Sequence, residues 1–307
     1  MLREEGLLKR HPANPIIKPA DYPGTEAIFN CGQTMYGDKT ILLVSVVFRN
    51  GVVETRVAES ADGLHFTIAD RSLFDFRGTP FEPYANHQID SRVTKIDDTY
   101  YIVFPGGTGP LGPAGILLRT RDFKTCEPME IISLPPNRVP CLFPEKIGGD
   151  YVRIDRPGHT PAGPGEMWIS YSPDLIHWGR HRLLTRPFAR WQSTKIGPTP
   201  PIKTDKGWLE LIHGARTTCA GNVYSLGAIL LDLEDPARII GRTRSWILTP
   251  DEPYELTGRT LNVVFTCGAI ADYDQDRLRV YYGGADTCIG LATCKLSDLV
   301  ALCLEEA

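Results

Sequence analysis

Residues 86–94 read NHQIDSRVT and set one carboxylic acid, Asp90, between an apolar residue and the start of an Arg-Val-Thr strand. A shielded carboxyl at a strand start is the kind of group that protonates the leaving oxygen in glycosidic cleavage. Inverting hydrolysis would also need a second carboxylate as base, and the sequence offers none in a comparable place. The polar groups at comparable strand ends are instead cations: Arg138 in PPNRVPCLFPEK, Arg156 in VRIDRPG, Lys195 in STKIGPTPP and His213 in LIHGA. Tyr224 in GNVYSLGA adds a hydroxyl. Taken singly, each has an ordinary explanation: an arginine in a turn is usually solvated or ion-paired, and a histidine ending a strand is usually a hydrogen-bonded core imidazole. Lys195 differs, because its neighbours are small and apolar and its ammonium needs either solvent or an anion.

The elements that must hold these residues are short strands. Helical periodicity is scarce, while 25 prolines and 29 glycines punctuate runs of Val, Ile, Tyr and Trp, which predicts an all-β fold. A turn of Gly or Asp followed by an apolar strand recurs: GDKTILLVSVV from 37, DDTYYIVFPGG from 97, GGDYVRIDRPG from 148, DKGWLELIHGA from 205 and DQDRLRVYYGGAD from 274. Each is followed by a second strand and a turn (SADGLHF, TRDFKTC, SPDLIHW, LEDPARI, LSDLVAL). Five copies spaced roughly 50 to 70 residues apart suit the four-stranded blades of a propeller, whose radial stacking buries both faces of every sheet. The expectation is a single five-bladed β-propeller over residues 1–307. Residues 1–25, with HPANPIIKP, form either an extended arm or the strand that closes the ring. The competing architecture is a pair of β-sandwiches with coincidental turns.

Composition removes several function classes. The net charge of −4 over 307 residues, without a basic cluster, argues against nucleic acid and anionic membranes as partners. The N-terminus lacks an apolar stretch before a cleavage site and no apolar run is long enough to span a bilayer, so a cytoplasmic chain is expected. Eight scattered cysteines without a CxxC pair read as reduced and packed, and seven histidines without HExxH or Cys/His spacing predict no metal.

Longer segments carry a family likeness. FPEKIGGDYVRIDRPG, MWISYSPDLIHWG, TKIGPTPPIKTDKGWLELIHG, ILTPDEPYELTGRTLNVVFTCGAI and YYGGAD together resemble glycoside hydrolase family 130, the mannoside phosphorylases and related mannosidases, from NPIIKP near residue 14 to about residue 290. The resemblance implies a five-bladed propeller, in line with the repeat count. It implies that Asp90 is the general acid, that Arg138, Arg156, Lys195, His213 and Tyr224 hold inorganic phosphate, and that Asn30, Arg49, Arg56 and Asp286 surround the mannosyl unit. Two departures stand out: the family's Glu-Asp-Pro-Arg is Ile89-Asp90-Ser91-Arg92 here, and its Asn-Pro-Gly is Asn30-Cys31-Gly32.

The likeness explains the missing carboxylate. Phosphate is already an anionic nucleophile, so a base is superfluous, and the site needs a basic cradle that overcomes phosphate hydration and aims one oxygen. Phosphorolysis of β-1,2- or β-1,4-linked manno-oligosaccharides to α-mannose 1-phosphate is the implied reaction, with phosphate as co-substrate and no cofactor. A hydrolytic mannosidase on the same scaffold, and a non-catalytic carbohydrate-binding propeller, are the alternatives. Phe81, Tyr84 and Trp191 are aromatic groups that either stack on acceptor sugars or pack the core, and a homo-oligomer is compatible with the sequence.

Overall fold

Short runs of β-branched and aromatic residues, cut by Gly, Pro and Asp, can only fold as strands joined by tight turns. The structure, a computed structural model, describes residues 6–85, 88–107, 109, 112–158 and 165–305. The chain opens with β1 (Lys9–Arg10). Blade I follows as β2 (Thr25–Tyr36), β3 (Lys39–Phe48), β4 (Val53–Ser60) and β5 (Thr67–Ile68), and blade II as β6 (Arg92–Ile96), β7 (Thr99–Gly106), β8 (Ala114–Thr120) and β9 (Glu127–Ser133). Blade III comprises β10 (Asn137–Leu142), β11 (Tyr151–Pro157), β12 (Met167–Ser172) and β13 (Gly179–Thr185). Blade IV comprises β14 (Lys195–Pro198), β15 (Ile202–Lys203), β16 (Trp208–Thr218), β17 (Gly221–Leu231) and β18 (Ile239–Arg242). A short helix α1 (Pro253–Leu256) leads to blade V, with β19 (Val264–Phe265), β20 (Ile270–Asp272), β21 (Arg277–Gly284) and β22 (Cys288–Lys295), and helix α2 (Leu296–Glu305) ends the described chain.

All pairings between these strands are antiparallel, and the first strands adjoin one another in sequence order, β2 against β6, β6 against β10 and β10 against β14. This is the five-bladed propeller expected from the repeats, whose five apolar copies fall on β3, β7, β11, β16 and β21, the second long strand of each blade. Apolar clusters fill the seams between blades: Ile41, Phe74 and Phe104 between I and II, Leu117 and Leu142 between II and III, Ile154 and Trp208 between III and IV, Leu211 and Val280 between IV and V, and Ile28 and Tyr281 between V and I. A blade alone could not bury both of its faces; its neighbours supply the missing cover.

The second half of each repeat has its own cause. Where the third strand ends, an aspartate accepts two backbone N–H groups and turns the chain: Asp62 from Leu64 and His65 (2.8 and 2.9 Å), Asp174 from Ile176 and His177 (2.9 and 2.8 Å), and likewise Asp122 and Asp232. In blade V helix α2 takes the place of this turn, burying Leu299, Val300 and Cys303 against the seam between IV and V.

The N-terminal segment closes the ring. Lys9 and Arg10 pair with Thr293 and Ala292 of β22, giving blade V its outer strand from the other end of the chain. Arg10 donates to both oxygens of the fully buried Glu255 (2.8 and 2.7 Å), which also accepts from the Tyr282 hydroxyl at 2.7 Å. The Asn14 amide extends the pairing, donating to Leu291 O (2.9 Å) and accepting from Leu291 N (2.8 Å). Of the two roles expected for this segment, closing strand is the one seen; residues 1–5 lie outside the described residues. No helix among the described residues is long and apolar enough to cross a membrane.

Candidate functional site

In every blade the first strand begins, and the second-to-third hairpin turns, at the same end of the propeller. A cavity of about 350 Å³ opens there on the axis and takes side chains from all five blades. It brings together eight of the ten residues singled out in the sequence: Asn30, Asp90, Arg138, Arg156, Lys195, His213, Tyr224 and Asp286.

The acid side is built by backbone that turns left-handed. Asn30 (φ +39°), Asp90 (φ +59°) and Asp286 (φ +50°) all occupy that region, which Asn and Asp tolerate better than other side chains and which recurs at functional sites. Asn30 sits in a β-bulge of β2, between the paired residues Phe29 and Gly32. From there its amide donates to Asp90 Oδ1 at 2.8 Å and reaches Asp286 Oδ1 at 3.5 Å. Ser45 Oγ donates to the Asn30 carbonyl at 2.9 Å and accepts from Asp90 N at 3.2 Å, so β3 ties the two turns together.

The departures from the family pattern are absorbed locally. Residue 31 falls in the bulge and its side chain packs in the core, so Cys31 fits where the family has proline. Gly32 remains indispensable, because a Cβ there would stand 2.6 Å from the Ser91 carbonyl. Ile89, in place of glutamate, packs with Ala27, Phe29 and Val47.

Across the cavity stand the cations. Arg138 and Arg156 are cross-strand partners on β10 and β11, and Arg138 Nη1 lies 3.8 Å from Asp90 Oδ2. Arg156 is buried and its Nη1 lies 3.0 Å from His213 Nε2. Burial, followed by repulsion from Arg156 and neighbouring cations, holds His213 well below the usual imidazole range. The ring is therefore neutral and accepts from the guanidinium. Gly197 makes this meeting possible: a Cβ on it would lie 2.3 Å from His213 Cε1 and 3.0 Å from Arg156 Nη1. Lys195 Nζ lies 4.9 Å from the centre of the Tyr224 ring, a cation–π contact, and burial pushes the Tyr224 hydroxyl up so that it keeps its proton as a donor. Burial and the charge of Arg138 bring Arg156 down to about 10, while burial and the charges of Arg156 and Arg138 bring Lys195 down to about 8.

Cations that depress one another's protonation form a cluster that an anion would relieve. The sign of the pH effect follows. An anion bound here favours charged Lys195, so affinity is complete below about pH 8 and declines above it, by up to about tenfold per pH unit while the bound ammonium stays protonated. Inorganic phosphate, the anion expected from the sequence, passes through its own second ionisation near neutrality, so the Lys195 limb is read above it: the phosphate KM is expected to climb from pH 8 to 10. A Lys195→Arg variant should remove that climb.

Asp286 is a second carboxyl in the cavity. Burial raises its pKa, the charge of Asp90 raises it further, and hydrogen bonds from Thr260 and Asn30 work the other way. Asp286 shares the Asn30 amide nitrogen with Asp90, which brings the two carboxyls together on one side of the cavity.

Two sequence candidates are not brought to the cavity. Arg49 is exposed in the β3–β4 hairpin at the same end of the propeller. Arg56 is held on the flank of blade I by Glu54 at 2.8 Å, by the Tyr22 hydroxyl and by Ala69 O, and it stacks on Phe48 at 4.7 Å. The aromatic groups considered for sugar stacking are packing residues: Phe81 and Tyr84 lie against the seam between blades I and II. Trp191 is buried between blades III and IV, lies across Gly214 and Gly227, and donates to Arg244 O at 3.2 Å.

The sequence reading missed Arg259, Thr260 and Phe265, which line the cavity from blade V. Arg259 pairs with Glu26 of blade I, and Thr260 N donates to Ala285 O at 3.1 Å, pinning its loop to the Asp286 hairpin. The one available signal was position, since all three belong to the segment ILTPDEPYELTGRTLNVVFTCGAI.

Comparison with known proteins agrees with this geometry. The family model described as β-1,4-mannooligosaccharide phosphorylase, glycoside hydrolase family 130, matches residues 8–305. The chain is 37% identical over 306 residues to a β-1,4-mannooligosaccharide phosphorylase of Ruminococcus albus, covering 96% of this chain and 90% of that protein. It is 41% identical over 249 residues to a β-1,2-mannobiose phosphorylase of Listeria innocua, covering 80% and 67%. A solved structure of β-1,2-mannobiose phosphorylase from Listeria innocua with β-1,2-mannobiose superposes with a TM-score of 0.86 at 32% identity, over 97% of this chain and 99% of that one. A propeller whose axial cavity sets Asp90 against a basic cluster, matched along its length by these relatives, belongs to glycoside hydrolase family 130.

Proposed function

We infer that the protein is a glycoside phosphorylase that cleaves β-mannosides with inorganic phosphate, releasing mannose 1-phosphate and a shortened sugar. The curated relatives compared above are mannoside phosphorylases, and the observation that carries the reading to this chain is the mutually repelling trio Arg138, Arg156 and Lys195 facing Asp90. A phosphate oxygen cradled by these cations attacks the anomeric carbon, the bond from that carbon to the bridging oxygen breaks with its electron pair going to oxygen, and Asp90 supplies the proton. Attack from the face opposite the leaving group gives the α-phosphate. The cradle holds the nucleophile in place, and the negative charge of the phosphate stabilises an oxocarbenium-like transition state. Asn30 and Asp286 are the polar groups placed to hold sugar hydroxyls.

The substrate is proposed to be a β-1,2- or β-1,4-linked manno-oligosaccharide, the two linkages that the relatives carry. Hydrolysis is disfavoured by the retained basic set. Incubation with β-1,2- and β-1,4-mannobiose, each with and without phosphate, tests the reading by product analysis. Mannose 1-phosphate of α configuration, formed only with phosphate, is expected; free mannose formed at the same rate in both arms would overturn it.

A further inference from the structure

Beneath the acid lies an arginine that the reaction as written does not use. Arg92 begins β6 and is 1% exposed, one of the largest fully buried side chains in the protein. Its Nη1 donates to the backbone carbonyl of Asp90. Its guanidinium lies against the thiols of Cys141 and Cys267 and stands 5.4 Å from the centre of the Phe265 ring. Beyond these two thiols, Nε and Nη2 have no hydrogen-bond partner among the described residues. Stability alone does not favour this arrangement, since a buried, poorly paired charge is commonly replaced by an apolar side chain at no loss or with a gain.

We propose that Arg92 is a positioning residue for the acid: by holding the Asp90 carbonyl from below, it fixes the left-handed turn that aims the carboxyl into the cavity. Asp90 is the bend between the cavity lining and β6, at φ +59°. Apart from Arg92, its backbone is held by Asp90 N donating to Ser45 Oγ at 3.2 Å. Without Arg92 the buried carbonyl loses its donor and the peptide following Asp90 can rotate. The carboxyl then leaves the reach of Asn30, and a displacement of about 1 Å at a reacting group can cost about a hundredfold in rate. The Phe265 ring also stands 4.5 Å from His213, so the same stack that seats Arg92 reaches the imidazole paired with Arg156. Arg92 touches neither reacting atom nor substrate and works only through Asp90.

The inference rests on Asp90 being the acid, and a double-mutant cycle separates the two claims. Arg92→Met, Arg92→Lys, Asp90→Asn and the double variant Asp90→Asn/Arg92→Met are assayed on β-mannobiose with phosphate. Arg92→Met is expected to lower kcat about a hundredfold with the phosphate KM within about threefold of wild type. The double variant should be no slower than Asp90→Asn alone, and Arg92→Lys should recover about tenfold, because an ammonium reaches the same carbonyl. With 2,4-dinitrophenyl β-mannoside, whose leaving group needs no proton, Arg92→Met should lose less than about fivefold. Additive losses in the double variant, or equal losses on both substrates, overturn the positioning role. If Arg92→Met does not fold, Arg92→Gln, whose neutral amide replaces the guanidinium, carries the same comparison, and equal losses on both substrates with it also overturn the role. A fully active Asp90→Asn variant instead refutes the assignment of the acid, and the Arg92 claim falls with it.

Discussion

Replacing Asp90 by asparagine is expected to slow phosphorolysis of a β-mannoside by about 10²–10⁴ without lowering the melting temperature or weakening phosphate binding. The rate range is that of general acid assistance. Asparagine is nearly isosteric and its amide oxygen can still accept from Asn30, whose 2.8 Å bond to Asp90 Oδ1 is the main side-chain contact of the acid. What disappears is the group that holds the transferable proton before the reaction and, once it has given that proton up, places a negative charge beside Arg138. Losing that charge leaves the cavity more positive, so the phosphate KM should be unchanged or lower while kcat collapses. Steady-state kinetics with phosphate varied at saturating mannobiose separate the two constants, and a thermal melt controls for folding. Turnover within a few fold of wild type would remove Asp90 from the mechanism. A parallel fall in kcat and rise in the phosphate KM would mean that its role is to shape the anion site.

The sequence disclosed the architecture more fully than the site. Blades were legible because each repeats one physical problem, an apolar second strand followed by a turn, and the turns are written in aspartates such as Asp62 and Asp174 that satisfy backbone N–H groups. Ring closure is legible only as one of two options, since a two-residue pairing such as Lys9–Arg10 with β22 carries no periodicity. In the site, cations at strand ends were visible as misfits in apolar surroundings, Lys195 above all. Arg156 and His213 could not be recognised as contacting partners, because their approach depends on Gly197 lacking a Cβ. Arg56 went the other way: a basic residue in a strand resembles a ligand until Glu54 and the rings of Tyr22 and Phe48 are seen to occupy it. Arg259 and Thr260 were hidden because loop residues acquire a function from the hairpin they dock on, and a linear chain does not reveal that docking.

Arg156→Met should raise the phosphate KM by about ten- to a hundredfold at pH 7, in keeping with the roughly 1.5–3 kcal/mol of a hydrogen bond to a charged group. Stability should respond with the opposite sign to that of an ordinary buried arginine. Arg156 has only His213 Nε2 at 3.0 Å and Ile196 O at 3.4 Å as hydrogen-bond acceptors, and no ion pair with a carboxylate within the described residues. It stands in the field of Arg138, and burial and that repulsion already hold it at about 10. Methionine of similar length relieves the repulsion without opening a large void, so the melting temperature in phosphate-free buffer is expected to match or exceed that of wild type. The rise in melting temperature expected for the wild-type protein on adding phosphate, which would follow ligand occupancy, should nearly vanish in the variant. Lys195 supplies a third readout: Arg156 is the strongest charge depressing it, so in the variant the pH above which phosphate binding fades moves upward from about 8. A structural arginine would give the reverse pattern, a lower melting temperature with an unchanged phosphate KM and an unmoved pH limb. Because the apo protein gains from losing this charge and the phosphate-bound protein suffers, the mutual repulsion in the cradle can be read as stored preference for an anion, and that preference is what lets phosphate displace water as the nucleophile.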